Sequence, residues 1–199
     1  MKDTKKHIQN VSFRLFLKKS FKEVTMKEIV EKTGMSKGAF YHYYDSKEQI
    51  FLEIINSTFS SFLYTDYSKL SQNSLCDFYH DYIHYLNRMY ENFQEVNGQD
   101  TDFDMNYYSL IFDAMRIFPH FRDKMIQSSK DELEAWTHII RDARASGEIR
   151  SPMTDEQIAG IFIHTISGIG MSNMIAVQNE ETTQSLLNLW DAFYAQLKA

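Results

Sequence analysis

Apolar residues recur every three or four positions along most of the chain, and this spacing is typical of helices with one buried face. Only two prolines and seven glycines interrupt the 199 residues, which favours long helices over numerous strands and turns. The most regular apolar stripe comprises Phe78, Tyr79, Tyr82, Ile83, Leu86, Met89, Tyr90 and Phe93. The pattern predicts an all-α protein of about nine helices.

Capping residues divide the first sixty positions into short helices. Thr25 is a potential N-cap with Glu28 at the capping-box spacing, and Gly34 stands where a helix would stop and turn. Ser36 can cap the next helix through about Tyr43. These signals predict a first helix that ends near residue 20, followed by helices over 26–32, 36–43 and 47–62.

The remainder of the chain continues the helical period, with polar loops expected at 97–104 and 145–152. Residues 158–179 contain no charged side chain, but their polar groups are too numerous for a helix in lipid, so we expect a helix buried in protein and no membrane partner. The polar residues are His164, Thr165, Ser167, Ser172 and Asn173. The predicted helices cover 75–93, 105–117, 120–145, 155–177 and 182–197.

Charge is distributed unevenly between the two ends of the chain. Residues 1–60 carry 11 Lys and Arg against 7 Asp and Glu, whereas the remaining residues carry 10 against 20. A polyanion such as nucleic acid would therefore be attracted only to the first part. The single cysteine, Cys76, excludes an internal disulfide framework, and the first ten residues lack the apolar core of a secretory signal. We expect a cytoplasmic protein.

The two short helices on either side of Gly34 are spaced like a helix-turn-helix, whose second helix enters the major groove of DNA. On a helical wheel that starts at Ser36, Phe40 and Tyr44 point towards the preceding helices. The opposite, polar face carries Lys37, Gly38, Tyr41 and His42. An ordinary surface helix with core aromatic residues is the alternative, and the basic bias of this region argues against it.

Each polar group in this segment has a chemical role open to it on DNA. Lys37 and Lys47 offer ammonium groups to phosphates, and Tyr41 offers a hydroxyl. Thr25 can present a hydroxyl together with a helix N-terminus. Gly38 has no side chain, so a DNA backbone or base edge could approach closely.

The stretch TMKEIVEKTGMSKGAFYHYYDSKEQIF, residues 25–51, resembles the N-terminal DNA-binding domain of TetR-family transcriptional regulators, and the resemblance extends over roughly residues 5–55. Met35-Ser36-Lys37-Gly38, Tyr41, Tyr43-Tyr44 and Ser46-Lys47-Glu48 match the family's pattern in order. The resemblance implies contacts to the DNA backbone from Thr25, Ser36, Lys37, Tyr41, Tyr43 and Lys47. It places Gly38, Ala39 and His42 nearest base edges.

The same resemblance implies two domains. Residues 1–46 would form the DNA-binding domain and residues 47–199 an effector-binding and dimerisation domain, with helix 47–62 connecting them. Helices 155–177 and 182–197 would form a homodimer interface, so that two recognition helices read a palindromic operator in double-stranded DNA. The implied function is a repressor released from DNA by a small molecule. An activator, or a family member without a ligand response, stays open as an alternative.

The effector site is less readable from the sequence. Aromatic and Met side chains of the acidic part could line a pocket for an apolar or aromatic effector, although aromatic residues at helical spacing more often form a core. The candidates are Phe103, Tyr107, Tyr108, Phe112, Met115, Trp136, His164, Met171 and Met174. No cofactor is implied.

One segment suggests different chemistry. His80 and His84 are four residues apart on a predicted helix, beside Asp77 and Asp81, and such a group could hold a divalent metal in a helical hydrolase. The helical wheel places all four on the solvated face, where no pocket would desolvate a metal. No phosphate-binding or nucleophile motif appears elsewhere, so we expect neither a metal site nor an enzyme.

Overall fold

The computed structural model describes residues 2–58, 65–97, 103–176 and 182–198. These residues contain nine α-helices, which confirms the all-α prediction. The helices are α1 Lys2–Lys18, α2 Met26–Thr33, α3 Lys37–Tyr41, α4 Lys47–Thr58, α5 Leu75–Asn97, α6 Phe103–Ile117, α7 Pro119–Ala145, α8 Asp155–Ala176 and α9 Thr182–Leu197. The predicted continuation of α4 to residue 62 and most of the predicted loop at 97–104 lie outside the described residues.

Helices α1 to α4, α6 and the start of α7 as far as Met125 pack into one compact unit. Its core contains three phenylalanine rings from α1, the following loop and α4. The centroid of Phe51 lies 5.0 Å from that of Phe16 and 4.7 Å from that of Phe21. All three side chains are buried, so the loop after α1 is held by burial of its aromatic residue as well as by hydrogen bonds.

Helices α5, α8, α9 and the part of α7 from Ile126 onwards form a second unit, together with a short 3₁₀ turn at Tyr67–Lys69. Its core is aromatic: the ring of Trp136 stacks on Phe162 at 4.8 Å and meets Trp190 at 5.3 Å. None of these three side chains is exposed. Of the apolar stripe that predicted α5, the six described side chains are buried: Phe78, Tyr79, Tyr82, Ile83, Leu86 and Met89.

The loop after α7 is anchored by one carboxylate. Glu148 accepts hydrogen bonds from the backbone N–H groups of Leu75 and Cys76, at 3.0 and 3.2 Å, and so caps the N-terminus of α5. The hydroxyl of Tyr194 donates to the same carboxylate at 2.9 Å. None of the helices in the described part of the chain combines the length and the hydrophobicity that a membrane-spanning segment needs.

Packing places α4 and α6 in the same unit as α1 to α3. The predicted boundary after residue 46 is a functional division, between a part that reads DNA and a part that binds effector and partner subunit. That division stays a prediction.

Candidate nucleic-acid interface

Two side-chain caps shape the turn between α2 and α3. The Thr25 hydroxyl accepts from the N–H of Glu28 at 3.2 Å, and the Ser36 hydroxyl accepts from the N–H of Ala39 at 3.3 Å. Between them, Gly34 ends α2 with φ of 68°, a left-handed conformation that glycine adopts without strain. The capping prediction is confirmed at all three positions.

Helix α3 is shorter than the predicted 36–43. It ends at Tyr41 because the chain tightens there: the N–H of Tyr43 donates to the carbonyl of Phe40, three residues back, at 2.9 Å. Phe40 and Tyr44 are 0% and 1% exposed, so their predicted inward orientation is confirmed. These two rings fix α3 on the rest of the unit.

The opposite side of α3 is open. Tyr41 is 44% exposed, and no described atom lies within 4 Å of the position that a Cβ would take at Gly38. Tyr43 is partly exposed, with its ring 5.5 Å from that of His42. The exposed residues are Lys37, Gly38, Ala39, Tyr41 and His42, and Lys37 makes no ion pair with any described residue.

A carboxylate on α4 holds the segment after α3. Glu53 accepts from the Tyr44 hydroxyl at 2.8 Å, from the Gln9 amide at 2.9 Å and from the Lys5 ammonium at 2.9 Å. Burial raises the pKa of Glu53, but these donors outweigh it and the pKa lies below its ordinary value. The network therefore joins α1, Tyr44 and α4 through an ionised group.

Lys47 is not placed as the sequence suggested. Its ammonium donates to the carbonyls of Phe21 and Val24, each at 2.7 Å, and lies 4.3 Å from the centroid of the Phe21 ring. The side chain therefore points into its own unit, where these two loop carbonyls accept from its ammonium. In this structure Lys47 therefore fixes the loop before Thr25, and its contact with phosphate stays a prediction.

A second anchor of this loop was missed in the sequence. The buried carboxylate of Asp113, on α6, accepts from the N–H of Phe21 at 3.1 Å and from Arg116 at 2.7 Å. An acidic residue among the apolar positions of a predicted helix was the available signal. Asp113 thus ties α6 to the loop that leads into α2.

The predicted effector residues fall into two groups. Phe103, Tyr107, Tyr108, Phe112 and Met115 belong to the first unit and Trp136, His164, Met171 and Met174 to the second. The side chains of Phe103, Tyr107 and Met174 lie outside what the structure describes. Phe112 and Met171 are exposed by 57% and 41%, Tyr108 and Met115 are partly buried, and Trp136 is fully buried in an aromatic core.

His164 is exposed on α8 and lines a shallow groove that runs along this helix. The groove is mainly apolar, and Leu189 of α9, 45% exposed, lies at its side. Its other lining residues are Met153, Glu156, Gln157, Gly160, Ile161, Thr165, Gly168 and Ile169. The predicted dimer face therefore presents a groove with small residues in it.

The His80 segment is arranged differently from a metal site. Nε2 of His80 lies 3.6 Å from the Asp191 carboxylate and Nδ1 lies 3.6 Å from the Cys76 thiol, while Asp81 accepts from the N–H of Ser71. Asp77 and His84 are exposed. Among the described residues, no group of three or more His, Cys, Asp and Glu side chains is placed to hold a metal ion.

The helix-turn-helix region of the chain is similar in sequence to known regulatory proteins. The sequence pattern of the bacterial regulatory proteins of the tetR family matches residues 8–54. The uncharacterized HTH-type transcriptional regulator YerO of Bacillus subtilis is 46% identical over 52 residues, and YuxN of the same strain is 38% identical over 56. The matched segment covers 26% of this chain and 18% of YerO, so it represents a small part of either protein.

The fold is shared over the whole chain. A TetR-family transcriptional regulator from Agrobacterium tumefaciens superposes with a TM-score of 0.64 at 13% identity, covering all of this chain and 99% of that one. A second, from Cytophaga hutchinsonii, superposes with a TM-score of 0.61 at 16% identity, covering 99% and 96%. Residues 8–54 therefore match the N-terminal segment of the bacterial regulatory proteins of the tetR family, and the chain as a whole shares the fold of these two solved regulators.

Proposed function

We propose that the protein is a cytoplasmic transcriptional regulator that binds a palindromic DNA operator as a homodimer and is released from it by a small molecule. The observation that carries the proposal is the open face of α3, on which Lys37, Tyr41 and His42 stand exposed beside two residues with little or no side chain, Gly38 and Ala39. A face of this kind can lie in a major groove with its backbone close to the bases.

The contacts divide into positioning and reading. Lys37 and the Tyr41 hydroxyl are suited to phosphate, as are the helix N-termini capped by Thr25 and Ser36. His42 has ring nitrogens that can donate to or accept from a base edge, and Ala39 offers a methyl group to thymine. Lys47 is assigned a structural role, that of holding the loop before Thr25, because its ammonium is occupied by two loop carbonyls.

Dimerisation is supported by the exposed groove on α8. Its apolar side chains lie beside Gly160 and Gly168, and a second copy of α8 could approach closely at these positions. A Cβ at Gly168 would have no described atom within 4 Å, so this glycine is not required by packing inside one subunit. Close approach of α8 from a partner subunit would explain a glycine at position 168.

Release by an effector requires a physical link to the reading head. The first unit contains one: Asp113 of α6 binds the loop after α1, and Lys47 binds the same loop just before Thr25. A ligand that favours a different position of α6 would shift the population of that loop, and with it the N-terminus of α2.

The proposal is tested by DNA binding in two variants at several salt concentrations. Lys37→Ala should weaken binding to all duplexes and lower the salt slope by about 0.9 for each subunit bound. His42→Ala should change the preference among operator variants by about 1–3 kcal/mol at the affected base pair. An unchanged slope for Lys37→Ala, together with a uniform loss for His42→Ala, would contradict the assigned roles.

A further inference from the structure

The exposed side of α1 carries positively charged residues in a row. Lys6, Arg14 and Lys18 are exposed, and together with Asn10 they stand at every fourth position, so they lie along one side of the helix. We call Lys6, Arg14 and Lys18 the basic row, which at about 1.5 Å per residue extends over roughly 18 Å. Asp3 is the only acidic residue of α1. The exposed side of this helix is therefore positively charged.

The basic row has no ion-pair partner among the described residues, in contrast to lysines close to it in the sequence. The Lys5 ammonium lies 2.9 Å from the Glu53 carboxylate, and the Lys19 ammonium lies 2.6 Å from that of Glu28. Two members of the row are four residues apart, and like charges at that spacing destabilise a helix slightly. The stability of α1 therefore does not account for the row, whereas a negatively charged partner would.

The basic row lies next to the surface that is assigned to DNA. Lys19, which follows the row directly, pairs with Glu28 in the first turn of α2, while Nε2 of His7 lies 3.1 Å from the carbonyl of Thr33 at the other end of that helix. The two helices thus run antiparallel, and the row ends beside the N-terminus of α2. Lys22, in the loop between them, is exposed and makes no ion pair with any described residue. Positive charge therefore continues from α1 to the N-terminus that is suited to phosphate.

The rest of α1 favours DNA over a membrane as the partner of the row. Phe13, Leu15 and Phe16 form the apolar side of the helix, and all three are buried within the first unit. A helix that lies in a membrane surface needs an apolar side to insert, and that side of α1 is already occupied. A DNA strand, by contrast, presents one phosphate for about every 3.4 Å of its axis, so several phosphates fall within the length of the row.

We propose that the basic row of α1 is a second DNA-contacting surface, which binds backbone phosphates of the duplex outside the groove that α3 enters. The proposal rests on the proposed function, because it extends the DNA contacts of that regulator. The row strengthens binding to every sequence and takes no part in base choice, since phosphate contacts carry no sequence information.

The test is the salt dependence of binding to a duplex of random sequence, about 40 base pairs or roughly four helical turns long. Fluorescence anisotropy with the purified full chain compares the wild type with a row variant, Lys6→Gln with Arg14→Gln and Lys18→Gln. The variant should lower the salt slope by about 2.7 for each subunit bound, from about 0.9 for each phosphate contact. A roughly fourfold rise in salt should then weaken the wild type about 40-fold more than the variant for each subunit. An unchanged slope would overturn the proposal.

A matched control removes the same charge from another part of the chain. Lys130, Arg150 and Lys198 are exposed in the second unit and form no ion pair within the described ranges. Their combined change to Gln should leave the salt slope at the wild-type value. Equal losses in the two triple variants would show an effect of net charge alone and would contradict a surface on α1.

Two further measurements guard against a folding defect and a different partner. Circular dichroism and the urea midpoint should match the wild type, because the row is exposed; if the triple variant folds poorly, Arg14→Gln alone should still lower the slope by about 0.9 for each subunit, and an unchanged slope there would refute the proposal. Binding to phosphatidylserine vesicles that the row variant loses, with an unchanged slope on DNA, would assign the row to a membrane surface instead.

Sequence preference of the wild type keeps this proposal distinct from the regulator itself. If the wild type prefers no palindrome but the row variant alone loses salt slope on the random duplex, the proposed sequence-reading regulator fails and the second surface stands. If the wild type prefers a palindrome and the row variant keeps the wild-type slope, the regulator stands and the second surface fails.

Discussion

Substitution of Lys47 by methionine separates two roles that the sequence alone could not distinguish, contact with DNA phosphate and fixing of the loop before Thr25. Methionine keeps much of the aliphatic length and removes the ammonium. If Lys47 fixes the loop, the change removes two hydrogen bonds of 2.7 Å from a charged donor, to the carbonyls of Phe21 and Val24. It also removes the contact of the ammonium with the Phe21 ring at 4.3 Å.

The magnitude follows from these contacts. A hydrogen bond from a charged group contributes about 1.5–3 kcal/mol, and a cation over an aromatic ring about 0.5–1 kcal/mol at an exposed site. Lys47 is only partly buried, so water can reach the carbonyls once the ammonium is gone. The expected loss is therefore about 2 kcal/mol in the free energy of unfolding of the first unit, below the sum of about 3.5–7 kcal/mol for the three contacts, because water replaces part of what the ammonium supplies.

The assay combines urea unfolding with the salt dependence of DNA binding, and Lys37→Met serves as the matched control. Lys37 is exposed and unpaired within the described residues, so its variant should unfold within about 0.5 kcal/mol of wild type but lose about 0.9 in salt slope for each subunit. Lys47→Met should instead lose stability and keep the salt slope of the wild type. A Lys47→Met protein of unchanged stability and reduced salt slope would refute the structural role.

Three further changes test the anchors and the dimer. Glu53→Gln should lower the free energy of unfolding by about 0.5–1 kcal/mol near pH 7. Because the folded-state pKa of Glu53 is lowered, the stability difference between variant and wild type should narrow as the pH falls below about 4.5. A stability difference that does not change with pH would argue against an ionised anchor. Asp113→Ala should lower the stability measured by urea unfolding by about 1–3 kcal/mol and expose the Phe21 amide to hydrogen exchange. Asp113→Asn keeps an acceptor and should lose less stability. Equal losses of stability in the two variants would contradict the hydrogen-bond account. Gly168→Phe should convert dimer to monomer in analytical ultracentrifugation while helix content is preserved, because the space around Gly168 is open within one subunit; a dimer of unchanged stability would move the interface elsewhere.

The fold was readable from the sequence because its signals are local. Hydrophobic period, the Thr25 and Ser36 caps and the glycine at position 34 each act within a few residues, and all three are present in the structure. The inward side of α3 was equally predictable, since one helical wheel fixes Phe40 and its neighbours.

The missed features depend on contacts between distant parts of the chain. Lys47 turns inward because of carbonyls 23 and 26 residues away, and Asp113 acts on a loop 92 residues earlier. The aromatic residues proposed for an effector pocket were indistinguishable from core by spacing, and Trp136 is core.

Selection of DNA from a random duplex library tests the central claim most directly. Purified protein would be unfolded and refolded to remove any bound small molecule, then used at a fixed salt concentration. The account predicts enrichment of a palindrome whose half-sites are separated by about one helical turn or a multiple of it. It also predicts that His42→Ala changes the enriched bases. Folded protein that enriches no sequence above background would contradict the claim that residues 36–43 read DNA.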